Sequence, residues 1–303
     1  MTMDLNPAEL LSRYGRTPTT EPVELPGGQD NRNLRIGTDL GDVVVRQYLR
    51  SPLERIRAEL ELVDFLARRG YPTPAPLPLR AGRFLSEQEP PVAVFEFARG
   101  RAADGSDGAP AAQTGELLAR LHTLTSGWLD ARIPEYDRVA ALRATIDGPF
   151  EVPGAEEWRA AVESFLAENS TGLAELAELP AGPLHHDMHG ANLLVENGRI
   201  TAVLDFDELN HGPLVIDLAR ALFYLAVAQP DRGLPAAPAE ALVAGYRSAR
   251  MLTGPEHAAL PVAFGLVALV DAAEVLTGGG LASVSDCHSW QVFRANEGAL
   301  AGL

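Results

Sequence analysis

Up to about residue 98 the apolar positions come in short alternating runs, and beyond it they recur mostly at helical spacing. Pro22–Leu25, Asn33–Ile36 and Asp42–Tyr48 are rich in β-branched residues and are bounded by Gly27-Gly28 and Asp39–Gly41, so they predict strands. Leu53, Ile56, Leu60, Val63 and Leu66 lie on one face of a predicted helix over Pro52–Arg69. Ser51 caps it, Pro52 opens it and Gly70 stops it. Pro72–Pro78 must be extended, and leads through a turn at Ala81-Gly82 to the run Val92–Phe97. After Arg99-Gly100 and a loop over Ala102–Pro110, helices are predicted over Glu116–Thr125, Glu156–Asn169, Leu214–Ala228, Pro238–Leu252, Pro255–Leu276 and Ser285–Leu300. Leu193–Val195 and Ile200–Leu204 flank Glu196-Asn197-Gly198 and read as a hairpin within this helical portion. The expected class is α+β, with a small β-rich lobe over 1–98 and a larger helical lobe over 99–303.

Composition narrows the setting. The 303 residues are 46% hydrophobic, which suits a soluble globular protein. Met1–Arg13 is polar and acidic, unlike a leader, and the most apolar stretch, Leu260–Val270, is half a membrane span that runs on into Asp271 and Glu274. It is expected to be a buried helix, with no membrane partner. A single cysteine, Cys287, fits a reducing cytoplasm. The net charge of −16 argues against nucleic acid, whose binders carry basic stripes. Twelve arginines face 14 acids before residue 99, and 13 face 27 after it. That acidic portion would either attract a cationic, amine-bearing substrate or serve only as a solvated surface. There is no lysine, so every mechanism that needs one is removed.

The chemistry concentrates in Leu184–Glu208, L-H-H-D-M-H-G-A-N-L-L-V-E-N-G-R-I-T-A-V-L-D-F-D-E. Asp187 stands five residues before Asn192, and Asp205 follows 13 residues later, across the hairpin. The hairpin would return Asn192 and Asp205 to one end, beside Asp187: one carboxylate to accept a proton, and two oxygen ligands suited to Mg²⁺. Phosphoryl transfer needs such a set, because the protein mainly positions groups and neutralises charge.

These residues resemble the aminoglycoside phosphotransferase and choline kinase family, with its homoserine kinase branch, which is related to protein kinases. His185-His186-Asp187-Met188-His189-Gly190-Ala191-Asn192 is similar to its H-G-D-x-H-x-x-N loop, Asp205-Phe206-Asp207 to its D-F-D or D-W-E, and Gly212–Ala219 to its G-x-P-x-x-D-L-A. The resemblance implies a protein-kinase-like bilobal fold that uses ATP or GTP with Mg²⁺. It implies Asp187 as catalytic base and Asn192 and Asp205 as metal ligands. His185 would pack and hydrogen-bond within the loop, His189 would brace it, and Asp217 would hydrogen-bond its backbone. His186 replaces the family's glycine, which would alter the loop backbone or point an imidazole at the substrate. Asp207 and Glu208 would assist the metal or face a substrate amine. In the small lobe, Arg46 and Glu59 stand where kinases carry a lysine–glutamate pair, Gly27 and Gly28 where a loop covers the phosphates, and Glu96, Phe97 and Ala98 where an inter-lobe hinge binds adenine.

The implied activity is phosphoryl transfer to a hydroxyl of a small amine-bearing metabolite or antibiotic, the latter making this a resistance enzyme. Gly27-Gly28-x-x-Asn31-x-Asn33 and Gly245–Pro261 look more like the homoserine kinase branch, so an amino-alcohol kinase is the alternative. Two other readings stay open: a metallohydrolase built on the histidines around Asp187, and a non-catalytic nucleotide-binding relative, given the missing lysine and His186.

Overall fold

The computed structural model describes residues 6–26, 31–79, 82–86, 88–103, 111–148 and 151–298. In chain order the first elements are α1 (Pro7–Arg13), β1 (Val23–Glu24), β2 (Asn31–Thr38), β3 (Gly41–Tyr48), α2 (Leu53–Arg68), β4 (Leu85–Ser86), β5 (Val92–Glu96) and β6 (Arg101–Ala102). Then come α3 (Ala111–Leu124), α4 (Arg138–Asp147), α5 (Ala155–Glu168), α6 (Ser170–Ala177), β7 (Ala181–Leu184), β8 (Leu193–Glu196), β9 (Arg199–Val203) and β10 (Asn210–Pro213). The chain closes with α7 (Leu214–Val227), α8 (Ala236–Ala249), α9 (Gly254–Gly278) and α10 (His288–Ala295). They form two compact units: residues 1–102, 130–133 and 193–207, and residues 103–129, 134–192 and 208–303.

In the first unit an antiparallel sheet of order β1-β2-β3-β5-β4 is built on the β2–β3 hairpin, whose register pairs Asn33 with Arg46 and Thr38 with Gly41. Strand alternation turns Val43 and Val45 into a core with Leu34, Ile36, Val92, Val94 and the α1 residues Leu10 and Leu11. Arg46 belongs to the other set of side chains. The Asn6 side chain caps α1 by accepting from the Ala8 N–H at 3.1 Å, a helix the polar N-terminal composition does not advertise. The extended proline segment pairs with the sheet through the Leu77 N–H and the Val94 carbonyl, 2.7 Å apart. The hairpin expected within residues 99–303 belongs to this first unit, because β8 pairs with β6 as well as β9.

The second unit is helical. α9 packs against α7, α10, α4 and α6, and α3 packs on α8. α9 is longer and more apolar than expected: its 25 residues meet the length and composition of a membrane span, but 72% of its apolar window is buried among its neighbours. It is the core helix of the unit. Its start is fixed by a capping box in which the Glu256 N–H donates to Thr253 Oγ1 and the Thr253 N–H donates to Glu256 Oε2. The single helix expected over Ser285–Leu300 is instead a 3₁₀ turn, Val284–Asp286, followed by α10.

Two glycines permit the close approach of α3 and α8. A Cβ on Gly115 would meet the Leu242 carbonyl oxygen at 1.9 Å, and one on Gly245 would meet that of Ala112 at 1.9 Å. Gly115→Ala is therefore expected to destabilise the fold by about 1–3 kcal/mol, seen as a lowered midpoint in thermal or urea unfolding.

Candidate active site

In the second unit, β7 and β10 pair antiparallel, Leu184 opposite Asn210, and deliver the chain into the His185–Asn192 loop. α7 begins directly after β10, so its fourth residue, Asp217, lies under this loop. The Asp217 carboxylate accepts from the N–H groups of His185 at 2.8 Å and His186 at 2.7 Å. On its far side it contacts His122 Nε2 at 3.2 Å, and His122 Nδ1 lies 2.8 Å from the Tyr246 hydroxyl. Burial raises the Asp217 pKa, but the hydrogen bond and charge from His122 outweigh it and hold the carboxyl below its usual value. Asp217 thus braces the loop, and His122 braces Asp217.

His186 has φ of 65°. That left-handed conformation explains why a glycine would be natural there, and His186 adopts it while its N–H bonds Asp217. Burial, then Arg220 and Arg138, push its imidazole pKa down to about 3, so the ring is neutral. Gly190 is required for space, since a Cβ there would come within 2.2 Å of the Ala103 carbonyl oxygen.

Asp187 is surrounded by donors. Asn192 Nδ2 donates to Asp187 Oδ2 at 2.7 Å and to its carbonyl at 2.9 Å. The Tyr224 hydroxyl donates to Asp187 Oδ1, and His189 Nε2 lies 3.4 Å from Oδ2. Burial raises this carboxyl, yet the bonds from His189 and Tyr224 carry it below its usual value, leaving it charged at neutral pH. His185 Nδ1 accepts from the Asp187 N–H and His189 Nδ1 from the Ala191 N–H, each at 3.2 Å. These histidine nitrogens are occupied by loop backbone. Among the described residues no group of three His, Cys, Asp or Glu side chains is placed to hold a metal.

In the first unit, Arg46 collects the carboxylates. Its Nη1 lies 3.1 Å from Asp207, 3.2 Å from Asp205 and 3.8 Å from Glu59, while Nε donates to Asn33 Oδ1 at 3.1 Å. Its side chain is only 12% exposed, so this is no surface ion pair. Burial lowers the Arg46 pKa, but Asp205 and Asp207 raise it further and keep it charged. Glu59 accepts from the Tyr48 hydroxyl at 3.2 Å, and burial followed by the charge of Asp207 pushes its pKa up to about 8. Asn31 Nδ2 donates to Asp207, and Arg55 to the Asp207 carbonyl. Asp205, two residues past the end of β9, has φ of 63°.

The Glu96 N–H donates to the Ala75 carbonyl at 2.9 Å and the Phe97 N–H to that of Asp42 at 3.3 Å, so two of the three expected hinge amides are committed. Gly27 and Gly28 lie outside the described residues. Glu208 falls in the second unit, with an exposed side chain and a carbonyl that accepts from Asn210 Nδ2 at 2.8 Å.

The profile of the phosphotransferase enzyme family matches residues 21–256. The chain belongs to this family. It is 31% identical over 249 residues to a homoserine kinase of Methylobacillus flagellatus, a match covering 80% of this chain and 75% of that enzyme. Among solved structures, a microcompartment-associated aminopropanol kinase superposes with a TM-score of 0.76 at 21% identity, covering 95% of this chain and 94% of the other. An amicoumacin kinase in complex with AMP-PNP and Ca²⁺ does so with a TM-score of 0.70 at 16% identity, covering 98% and 94%. The phosphotransferase fold is protein-kinase-like, with a β-sheet N-terminal region and a helical C-terminal region, and the chain is a small-molecule kinase acting on a hydroxyl.

Reading the phosphotransferase from its sequence misses Tyr224 and Arg220, and marks Asn31 only as part of a branch motif; all three touch the named residues directly. A signal for two of them exists. Asp217, Arg220 and Tyr224 stand at i, i+3 and i+7 on one helix, and so share the face turned to the loop.

Proposed function

We propose that this phosphotransferase moves the γ-phosphoryl group of ATP or GTP to the hydroxyl of a small amine-bearing acceptor, an amino alcohol of the homoserine type ahead of an aminoglycoside. The Asp187 carboxylate carries the reading: it is charged and fixed by Asn192 and Tyr224, so it can orient an incoming hydroxyl and take its proton. The homoserine kinase relative supports the order of acceptors, and the 27 acids against 13 arginines after residue 98 support a cationic group on the acceptor.

Asn192 and Asp205 would hold Mg²⁺, with Asp207 in support. The donor set fits that ion, since the donors are all oxygen and the carboxylates of Asp205 and Asp207 already gather round one cation, the Arg46 guanidinium. When bound, the metal neutralises charge on the nucleotide phosphates. Arg46, buttressed by Glu59, would contact those phosphates in place of a lysine, gripping two oxygens rather than one. With the Glu96 and Phe97 amides committed, the Ala98 N–H is the one left to bind the base.

ADP release with homoserine, 1-amino-2-propanol, choline and an aminoglycoside as acceptors tests the proposal. The largest kcat/KM is expected on an amino alcohol. Turnover confined to the aminoglycoside would reverse the order of acceptors, and nucleotide binding without turnover on any alcohol would favour the non-catalytic reading.

A further inference from the structure

Asp187 owes its orientation to a residue outside the loop that carries it. Its Oδ2 is engaged by Asn192 and His189, both within five residues of it in the chain, but among the described residues the hydrogen-bond partner of Oδ1 is the Tyr224 hydroxyl from α7. Each oxygen of an ionised carboxylate can accept two hydrogen bonds, so Tyr224 fills one lone pair of Oδ1 and leaves the other for an incoming hydroxyl.

The tyrosine ring is itself packed in place. The His189 ring lies tilted against it with centroids 5.0 Å apart, and the Arg220 guanidinium lies over it, 4.8 Å from its centroid. Arg220 is in turn immobilised: Nε donates to the His186 carbonyl at 3.3 Å, and Nη1 pairs with Asp271 of α9 at 2.5 Å. Asp271 accepts from Ser289 of α10, with His288 Nε2 at 3.6 Å. A continuous polar brace therefore runs from α9 and α10 through Arg220 and Tyr224 to the carboxylate. A tyrosine placed only for packing would have no need of a guanidinium fixed from two sides.

We infer that Tyr224 is a positioning residue for phosphoryl transfer, its hydroxyl aligning Asp187 Oδ1 toward the acceptor hydroxyl and its ring held in place by Arg220. The inference rests on Asp187 being the base, as proposed above. The removed contact is a hydrogen bond to a charged group, so Tyr224→Phe is expected to lower kcat by about 10- to 100-fold. The KM values for nucleotide and acceptor should stay within about twofold, the pattern of an interaction that matters in the transition state.

Two measurements are needed. With ¹³C-carboxyl-labelled aspartate, the Asp187 resonance, identified by its loss in Asp187→Asn, should move in Tyr224→Phe without any acceptor present. Steady-state kinetics of the same variant then tests the role. A resonance that does not move overturns the contact, and a moved resonance with unchanged kcat overturns the positioning role. A raised acceptor KM at unchanged kcat also overturns it, by making Tyr224 a substrate-binding residue. Failure of the phosphotransfer reading is separable, because it appears as a wild-type protein that phosphorylates no alcohol while the resonance still reports on the contact.

Discussion

Asp187→Asn is expected to lower kcat by about 10²–10⁴ while leaving nucleotide affinity nearly unchanged. The substitution keeps the size and shape of the side chain but removes its charge and turns one acceptor into a donor. Among the described residues, the groups bonded to the wild-type carboxylate donate or can donate: Asn192 Nδ2, the Tyr224 hydroxyl and His189 Nε2. An amide at this position must therefore set a donor against a donor or force Tyr224 to turn its hydroxyl. The wild-type carboxyl is held below its usual value, so it is a weak base in the ground state. A loose transition state for phosphoryl transfer suits such a base, which orients the nucleophile early and takes the proton late. Kinetics with a saturating amino alcohol, paired with equilibrium titration of nucleotide, checks the split. Wild-type kcat in the variant would remove Asp187 from the chemistry.

What was legible in the sequence, and what was not, follows from how local each feature is. Val43 and Val45 alternate with Val44 and Arg46, so β3 and the side on which Arg46 falls could be read directly. Asp187, Asn192 and Asp205 could be read because a motif fixes their spacing. α4 could not: it buries only Arg138 and Leu142 along its length and so presents no apolar stripe. β7 and β10, A-G-P-L and N-H-G-P, carry glycine and proline where strands usually carry β-branched residues, and only their pairing makes them strands. The same limit hid the true home of the β8–β9 hairpin, since its partner β6 lies more than 90 residues upstream and leaves no local mark. Tyr224 reads as one more apolar position in L-A-R-A-L-F-Y-L, and its hydroxyl acquires meaning only once Asp187 is seen beside it.

Asp205→Asn is expected to reduce Mg²⁺-dependent ATP affinity by at least about 100-fold, since even groups that only support a metal ligand are worth about 10- to 100-fold. Asparagine is the right replacement. Asp205 has φ of 63°, a conformation that asparagine tolerates and alanine does not, so alanine would mix backbone strain with loss of the ligand. The fold should survive, because Arg46 keeps Asp207 at 3.1 Å and Glu59 at 3.8 Å. Removing one of the carboxylates around Arg46 also lessens the repulsion that raises the Glu59 pKa, so Glu59 should ionise at lower pH and pair more strongly with Arg46. Any loss of affinity would then reflect the missing charge rather than a collapsed site. Calorimetric titration of ATP with and without Mg²⁺ separates the two: in the wild type the metal should strengthen binding markedly, and in the variant the two curves should nearly coincide. A variant that retains the wild-type metal dependence would show that the divalent ion is held by other residues, and Asp205 would then be only a partner of the Arg46 guanidinium.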